Sequence, residues 1–407
     1  MPVSSAPISN DSGPRDSIAG YSDLESLLHR HCWFDLRDAV CKLTPRGVYR
    51  SAVACAFNEF SPFRDDLFPI LKSGLGLREA YQAHDLLAWF YLRKGKFQHA
   101  LAHVEAMLAM RPDESGPQAI RSLLSFLCRY PQQSVRPHQR SILSWTMVDG
   151  NMFIPVVVNG NPANYMMDSG ATISMMTQSE ARRLKLAVEK PGTDAVRLYG
   201  ATGLQVEFSI AVAHQLDIGD CRLSHVSFLV LNDDQFQFPP EYAGAIGLSV
   251  LIQLQTLCWS ADGTVRIESP SQPYNLSTAN VCFDGPEPIT EAVFQDQRLP
   301  LVLDTGSAMT ILGPAFAAKF AKFVHDYGSR DSILLNGISG SAHMESMRLS
   351  TIVLRMGGFD ATLHPAHVLL KATTPNSNWL FGRLGMDLLQ QAKRVRLDFH
   401  CMRLTLE

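Results

Sequence analysis

Hydrophobic residues follow two different spacings along the chain, and the change falls close to residue 140. Before it, apolar side chains recur every three or four positions, as in LESLLHRHCWFDLRDAVCKL at 24–43, which predicts helices over 21–130. After the polar, proline-bearing segment 131–140, short runs of Val, Ile, Phe, Met and Tyr are separated by Gly, Asn and Asp. The stretch FIPVVVNGNPANYMMD at 153–168 predicts two strands joined by an Asn-Gly hairpin. A helical region followed by a mostly β region is therefore predicted.

One helical stretch, YLRKGKFQHALAHVEAMLAMRP at 91–112, has the pattern of a tetratricopeptide repeat. The aromatic, small and terminal proline residues stand at the positions that this repeat requires: Tyr91, Gly95, Phe97, Ala100, Leu101, Val104, Leu108 and Pro112. The glycine allows a tight turn, and the alanine allows two helices to approach closely. The neighbouring repeats are degenerate. Two interpretations stay open: a docking groove for a peptide or protein partner, or a helical module packed against the rest of the chain.

The β region contains three motifs that each occur twice, in the same order. The first pair is YMMDSGATISMMT (165–177) and LVLDTGSAMTILG (301–313). The second is LYGATG (198–203) and LNGISG (335–340), and the third is GAIGLSVL (244–251) and GRLGMDLL (382–389). The offsets are 136, 137 and 138 residues. Because the offset is nearly constant, we expect one β unit of about 137 residues to occur twice.

The first motif places an aspartate at the end of an apolar strand in each unit. If the units pack about a pseudo-two-fold axis, Asp168 and Asp304 approach each other at the interface. Two carboxylates at such short range share one proton, so that one acts as a base and the other as an acid. A water molecule between them can then attack a peptide carbonyl. This chemistry requires no metal and no cofactor, and none is expected.

The residues beside each aspartate suit this chemistry. Glycine brings backbone N–H groups close to a carboxylate, and a hydroxyl side chain can brace both loops across the interface. The expected supporting residues are Ser169, Gly170 and Ala171 in the first unit and Thr305, Gly306 and Ser307 in the second.

The second motif predicts a hairpin tip with glycine at both ends in each unit. An isolated pattern of this kind is usually an ordinary turn, but its repetition after both aspartates favours a pair of flaps over a cleft. The expected flap residues are Tyr199, Gly200, Ala201, Thr202 and Gly203, and Asn336, Gly337, Ile338, Ser339 and Gly340. The third motif, Ala245-Ile246-Gly247 and Arg383-Leu384-Gly385, is assigned a structural role in which glycine packs beneath the aspartate loop.

These motifs resemble those of retropepsin-like aspartic proteases, and FGRLGMDLLQQAKRVRLDFHCMRLTL (381–406) is similar to the C-terminal part of bacterial members. The resemblance covers roughly 141–407 and implies an all-β, bilobal acid-protease fold with endopeptidase activity. It implies catalytic roles for Asp168 and Asp304. The expected organisation is a disordered tail (1–20), a helical, tetratricopeptide-like domain (21–130), a linker (131–140), a first lobe (141–268), an inter-lobe linker (269–288) and a second lobe (289–407).

Composition and charge narrow the class of protein further. The 407 residues are 46% hydrophobic and 18% charged, which is typical of a globular protein. A net charge of −3 gives no reason to expect a nucleic-acid partner, and no apolar run approaches the roughly 18 residues of a membrane span. The eight cysteines form no CxxC pair, which favours free thiols in a reducing compartment. We expect a cytoplasmic protein, or a periplasmic or secreted one if a leader has been removed.

The sequence thus predicts an aspartic endopeptidase that processes a specific protein or peptide, bound in an extended conformation. The alternative is a catalytically silent peptide-binding or scaffold protein that keeps the acid-protease fold. A third possibility is self-processing, in the linker 131–140 or in 269–288.

Overall fold

The structure is a computed structural model that describes residues 21–43, 48–59, 77–136, 140–190, 198–199, 205–235, 240–270, 273–338, 340–372 and 380–407. The predicted disordered tail, 1–20, lies outside the described residues, as do 200–203 and Ser339 of the predicted flaps.

The N-terminal region is helical, as predicted. Its described helices are α1 (Tyr21–His29), α2 (Trp33–Leu43), α3 (Val48–Ala56), α4 (Leu77–Arg93), α5 (Phe97–Met110) and α6 (Ser115–Leu127). Helices α4 and α5 pack on each other across a tight turn at Gly95, whose φ of +66° favours glycine. Ala100 on α5 is fully buried, so its small side chain allows the close approach.

The rest of the chain is mostly β, with short helices α7 (Gln178–Arg183), α8 (Leu248–Leu254), α9 (Pro314–Lys319), α10 (Ala321–Tyr327) and α11 (Met386–Leu389). The strands in chain order are β1 (Ser134–Val135), β2 (Arg140–Ser144), β3 (Thr146–Val148), β4 (Asn151–Val158), β5 (Asn161–Met167), β6 (Ser174–Thr177), β7 (Val188–Glu189), β8 (Leu198–Tyr199), β9 (Gln205–Val206), β10 (Phe208–Ile218), β11 (Cys221–Leu231), β12 (Gly244–Ile246), β13 (Thr256–Ser260), β14 (Thr264–Glu268), β15 (Val281–Asp284), β16 (Glu287–Phe294), β17 (Gln297–Leu303), β18 (Ile311–Leu312), β19 (Gly328–Gly337), β20 (Gly340–Leu349), β21 (Ile352–Met356), β22 (Phe359–Leu363), β23 (Ala366–Leu369), β24 (Gly382–Leu384), β25 (Arg394–Asp398) and β26 (Arg403–Leu406).

Two large sheets form the two lobes. The first lobe contains a nine-stranded sheet in the order β1-β11-β6-β12-β5-β4-β10-β7, with β3 beside β4. The second contains a ten-stranded sheet in the order β19-β20-β23-β18-β24-β17-β16-β21-β22, with β15 beside β16. The sheets share a local arrangement: β12 runs parallel to β5 in the first, and β24 runs parallel to β17 in the second. The predicted class, a helical region followed by a bilobal all-β region, is confirmed.

A third, five-stranded sheet joins the lobes, in the order β2-β14-β13-β25-β26. Its strands β2, β13 and β14 come from the first predicted lobe, while β25 and β26 come from the last residues of the chain. Strand β15 lies within 269–288, the segment expected to link the lobes, and pairs there with β16. Hydrogen bonding therefore connects the two halves along the whole of β13 and β25.

The helices pack against the β lobes through two hydrophobic clusters. One contains buried residues of α1, α2 and α3 together with the interiors of both lobes. The other joins α4, α5 and α6 to the first lobe, where it includes Phe153, Ala171 and Ile173. Polar contacts reach the second lobe, since His31 and Trp33 lie 2.6 and 2.9 Å from one carboxylate oxygen of Asp284. No helix in the described ranges is long and apolar enough to cross a membrane.

Candidate active site

Asp168 and Asp304 stand at equivalent places in the two lobes. Each directly follows a central strand, β5 or β17, and each is 8% exposed. The backbone N–H of Asp168 donates to the carbonyl of Ile246 at 3.0 Å, and that of Asp304 donates to the carbonyl of Leu384, also at 3.0 Å. The last carbonyls of β12 and β24 therefore anchor both aspartates in the same way.

The two aspartate loops interlock through their hydroxyl residues. Ser169 Oγ donates to the carbonyl of Leu303, and Thr305 Oγ1 donates to the carbonyl of Met167, both at 2.7 Å. Each hydroxyl also accepts the backbone N–H of the other residue at 3.0 Å. Four buried hydrogen bonds thus cross between the lobes directly beneath the carboxylates, which limits their relative movement.

The two glycines lie against the opposite carboxylates. A Cβ atom on Gly170 would be 2.5 Å from Asp304 Oδ1, and one on Gly306 would overlap the carboxylate of Asp168. No other residue type fits at either position without displacing an aspartate. This mutual approach brings the two carboxylates together at the lobe interface.

The carboxylates have different hydrogen-bond partners. Asp168 Oδ1 accepts the backbone N–H groups of Gly170 at 2.9 Å and Ala171 at 3.1 Å. Asp304 Oδ1 accepts the N–H of Gly306 at 2.9 Å, whereas the N–H of Ser307 donates to the backbone carbonyl of Asp304. The side chain of Ser307 turns away and donates to the carbonyl of Met309 at 2.9 Å.

A half-buried guanidinium distinguishes Asp304 further. Arg383 Nη1 lies 2.7 Å from Asp304 Oδ2, and Arg383 Nη2 lies 2.9 Å from Glu287 Oε1. Sequence reasoning gave the Arg383 motif a structural role and did not consider Glu287. The available signal was the third repeated motif, in which Arg383 stands where the first lobe has Ala245.

Electrostatics at the site favour one proton on the pair. Burial and then the charge of Asp304 raise the pKa of Asp168 from its ordinary 3.8 to about 8. The N–H groups of Gly170 and Ala171 and the charge of Arg383 oppose this rise in the pKa without cancelling it. Asp168 therefore keeps its proton at neutral pH, and a protonated carboxyl group can act as a general acid.

The glycines of the third motif pack beneath the aspartate loops. A Cβ atom on Gly247 would lie 2.7 Å from the carbonyl carbon of Ile173, and one on Gly385 would lie 2.6 Å from that of Met309. Both N–H groups donate to a hydroxyl, that of Ser174 at 3.1 Å and that of Thr310 at 2.9 Å. The chain thus crosses the base of each loop in the same way.

The predicted flaps differ in how much of them is described. The backbones of Leu198 and Tyr199 pair with Val206 and Gln205, while the intervening tip lies outside the described residues. The second hairpin is long, with β19 and β20 in register from Gly328↔Leu349 to Gly337↔Gly340. At its tip, Ile338 is half-buried and packs on the cluster that contains Ala171 and Ile173. The tip of the second hairpin therefore packs on a cluster that the first lobe shares with helices α4, α5 and α6.

One family model and several solved structures are similar to parts of this chain. Residues 154–250, which include Asp168, match the family model described as aspartyl protease. A retropepsin-like aspartic protease from Rickettsia conorii is 19% identical, over 34% of this chain and 95% of that chain, with a TM-score of 0.24. Basic 7S globulin from soybean is 10% identical, over 67% of this chain and 95% of that chain, with a TM-score of 0.39. The comparison with curated proteins gives no match.

Proposed function

We propose that the protein is an aspartic endopeptidase that hydrolyses peptide bonds with water activated between Asp168 and Asp304. The observation that carries this proposal is the mutual approach of the two aspartate loops, in which each glycine contacts the opposite carboxylate. The family match over 154–250 supports the reaction class. The four hydrogen bonds of Ser169 and Thr305 support a rigid geometry, which general acid–base catalysis requires.

The substrate that we propose is a polypeptide in an extended conformation. The second hairpin, β19–β20, packs through Ile338 at its tip on the hydrophobic cluster of the first lobe, and we place a strand-like peptide beneath this hairpin, beside the carboxylates. A bound segment of this kind, rather than a whole folded domain, favours limited processing of a specific protein or peptide.

Cleavage of an unbiased peptide library, read by mass spectrometry between pH 4 and pH 7, tests the proposal. Wild-type protein is expected to cleave, and Asp168→Asn and Asp304→Asn are each expected to abolish cleavage. Asp262→Asn is the matched control, because Asp262 is exposed in the turn between β13 and β14, where its carboxylate accepts hydrogen bonds from Thr264.

Two results would contradict the proposal. Cleavage that survives both Asp168→Asn and Asp304→Asn would remove the two aspartates from the reaction. Tight peptide binding without turnover at every pH would indicate a silent peptide-binding protein instead. Incubation of the purified chain followed by intact-mass measurement shows separately whether it cuts itself within 131–140 or 269–288.

A further inference from the structure

The two lobes differ at one position beside the carboxylates. Ala245 on β12 and Arg383 on β24 occupy the same place in the repeated motif, next to the strand that carries the aspartate. Arg383 pairs in register with Val302, two residues before Asp304, so its side chain reaches the outer oxygen of that carboxylate at 2.7 Å. Alanine cannot make such a contact, so the carboxylate of Asp168 has no guanidinium from the matching position of its own lobe.

We propose that Arg383 is a positioning residue that keeps Asp304 ionised, so that the single proton of the pair resides on Asp168. This inference rests on the proposed function. An arginine remains charged throughout the pH range of the reaction, and its attraction favours the anionic form of the carboxylate it touches. With like charges so close, the second carboxylate then retains the proton.

The assignment gives each aspartate one task in each step. Asp304 takes a proton from water while the water oxygen bonds to the peptide carbonyl carbon, and Asp168 gives its proton to the carbonyl oxygen. In the second step the carbon–nitrogen bond breaks. Asp304 then returns its proton to the departing nitrogen, and Asp168 recovers a proton from the diol. The products are a carboxylic acid and an amine, and the site regains its starting protonation.

Other charged groups approach this site from the neighbouring elements. Glu287 on β16 shares Arg383 with Asp304, at 2.9 Å. Asp387 on α11 is directed to Thr310, whose N–H and hydroxyl it accepts. His367 on β23 lies in the same cross-strand row as Arg383, with Ile311 between them, and faces Asp331 at 3.7 Å. Of these groups only Glu287 contacts Arg383, so its removal is the informative counterpart to removal of Arg383.

The pH dependence of kcat/KM on a cleaved library peptide tests the inference. Arg383→Met is expected to move both limbs of the profile to higher pH by roughly one to three units, because the positive charge no longer favours the anion. In Arg383→Lys, both limbs of the profile are expected to stay close to their wild-type pH values. Glu287→Gln is expected to move both limbs to lower pH, since it removes the negative charge that offsets Arg383. Arg396→Met, which neutralises an arginine paired with Glu268 at 2.8 Å, is expected to keep the wild-type profile.

Two outcomes would overturn the inference: unchanged limbs in Arg383→Met, or equal shifts in Arg383→Met and Arg396→Met. If the limbs are unchanged and kcat is higher, Arg383 obstructs the reaction. If Arg383→Met does not fold, the shift of both limbs to lower pH in Glu287→Gln, beside a nearly unchanged profile in Arg383→Lys, remains decisive.

A second readout separates this inference from the proposed function. In protein labelled with carbon-13 at the aspartate carboxyls, Asp168 is expected to titrate at higher pH than Asp304, with Asp168→Asn and Asp304→Asn assigning the two signals. The order is expected to disappear in Arg383→Met. If wild type cleaves nothing, the proposed function fails while this titration still tests Arg383. If it cleaves but Asp304 titrates last, only the inference about Arg383 fails.

Discussion

Ser169 and Thr305 each donate a hydrogen bond to the residue that precedes the opposite aspartate. Ser169 donates to Leu303, next to Asp304, and Thr305 donates to Met167, next to Asp168. Both hydroxyl residues are essentially fully buried. The two lobes are thus held in register at the place where their carboxylates meet.

Removal of the Thr305 hydroxyl should weaken this contact. Thr305→Val keeps the shape of the side chain but leaves the Met167 carbonyl without its donor and the Ser169 N–H without its acceptor. We expect the free energy of unfolding in urea to fall by about 1–3 kcal/mol, and kcat/KM to fall with it. Thr305→Ser keeps the hydroxyl and is the matched control. Equal stabilities for the Val and Ser variants would contradict the prediction.

The glycines at the carboxylates should tolerate no side chain. Gly170→Ala places a Cβ atom 2.5 Å from the Asp304 carboxylate, and Gly306→Ala does the same to Asp168. Because one aspartate must move in either variant, we expect kcat/KM to fall by about 100-fold or more. Gly116→Ala, in α6, has open space around the new methyl group and is expected to behave as wild type. Circular dichroism checks that all three variants are folded, and full activity in Gly170→Ala would refute the close approach.

The proton on Asp168 should make stability depend on pH. The folded protein keeps this proton up to about pH 8, whereas the unfolded chain loses it near the ordinary pKa of 3.8. The contribution of Asp168 to stability is therefore fully present below about pH 4 and falls as pH rises toward 8, by at most about 1.4 kcal/mol per pH unit. Asp168→Asn removes this loss, so its stability relative to wild type is expected to increase with pH across that window.

Urea unfolding of both proteins at several pH values provides the measurement. Asp304→Asn is the informative control, because it leaves Arg383 without one of its two carboxylate partners. We expect Asp304→Asn to be less stable than wild type at pH 7, whereas Asp168→Asn is expected to gain stability relative to wild type as pH rises. If the difference in unfolding free energy between Asp168→Asn and wild type stays constant from pH 4 to pH 8, Asp168 is not protonated in the folded state.

Arg93 should hold the helices on the second lobe. Its buried guanidinium donates to the carbonyls of Gly285 and Cys55 and lies over the ring of Phe283, 4.3 Å from the ring centre. Arg93→Met keeps much of the apolar stem but leaves both carbonyls without this donor, so we expect a loss of about 1–3 kcal/mol in unfolding free energy. Arg121→Met, at an exposed position of α6, is the control, and we expect its unfolding free energy to change little. Equal losses in the two variants would contradict the role of Arg93.

Local patterns made much of the architecture predictable. Helical spacing before residue 140 and strand-like runs after it predicted the order of the regions, because each periodicity reflects one buried face. The strands of the inter-lobe segment were not predicted. Val281–Asp284 is short, and only two residues separate it from its partner β16, so the sequence shows little more than a few apolar residues beside a glycine turn. The pairing of β25 with β13 of the first predicted lobe, and of β26 with β25, was not predicted either.

The sequence by itself determined which residues carry the candidate chemistry in each half: an aspartate after an apolar strand, followed by a hydroxyl residue and a glycine. Repetition at a nearly constant offset can be read from the sequence alone, and it implies that the repeated motifs occupy equivalent positions in two similar folds. Only the tertiary structure decided how the two halves differ. Arg383 is 79 residues from Asp304 in the chain, and Glu287 is 96 residues from Arg383. Strand β17 pairs with β24 on one side and with β16 on the other, so folding alone brings Arg383 into contact with the carboxylates of both Asp304 and Glu287.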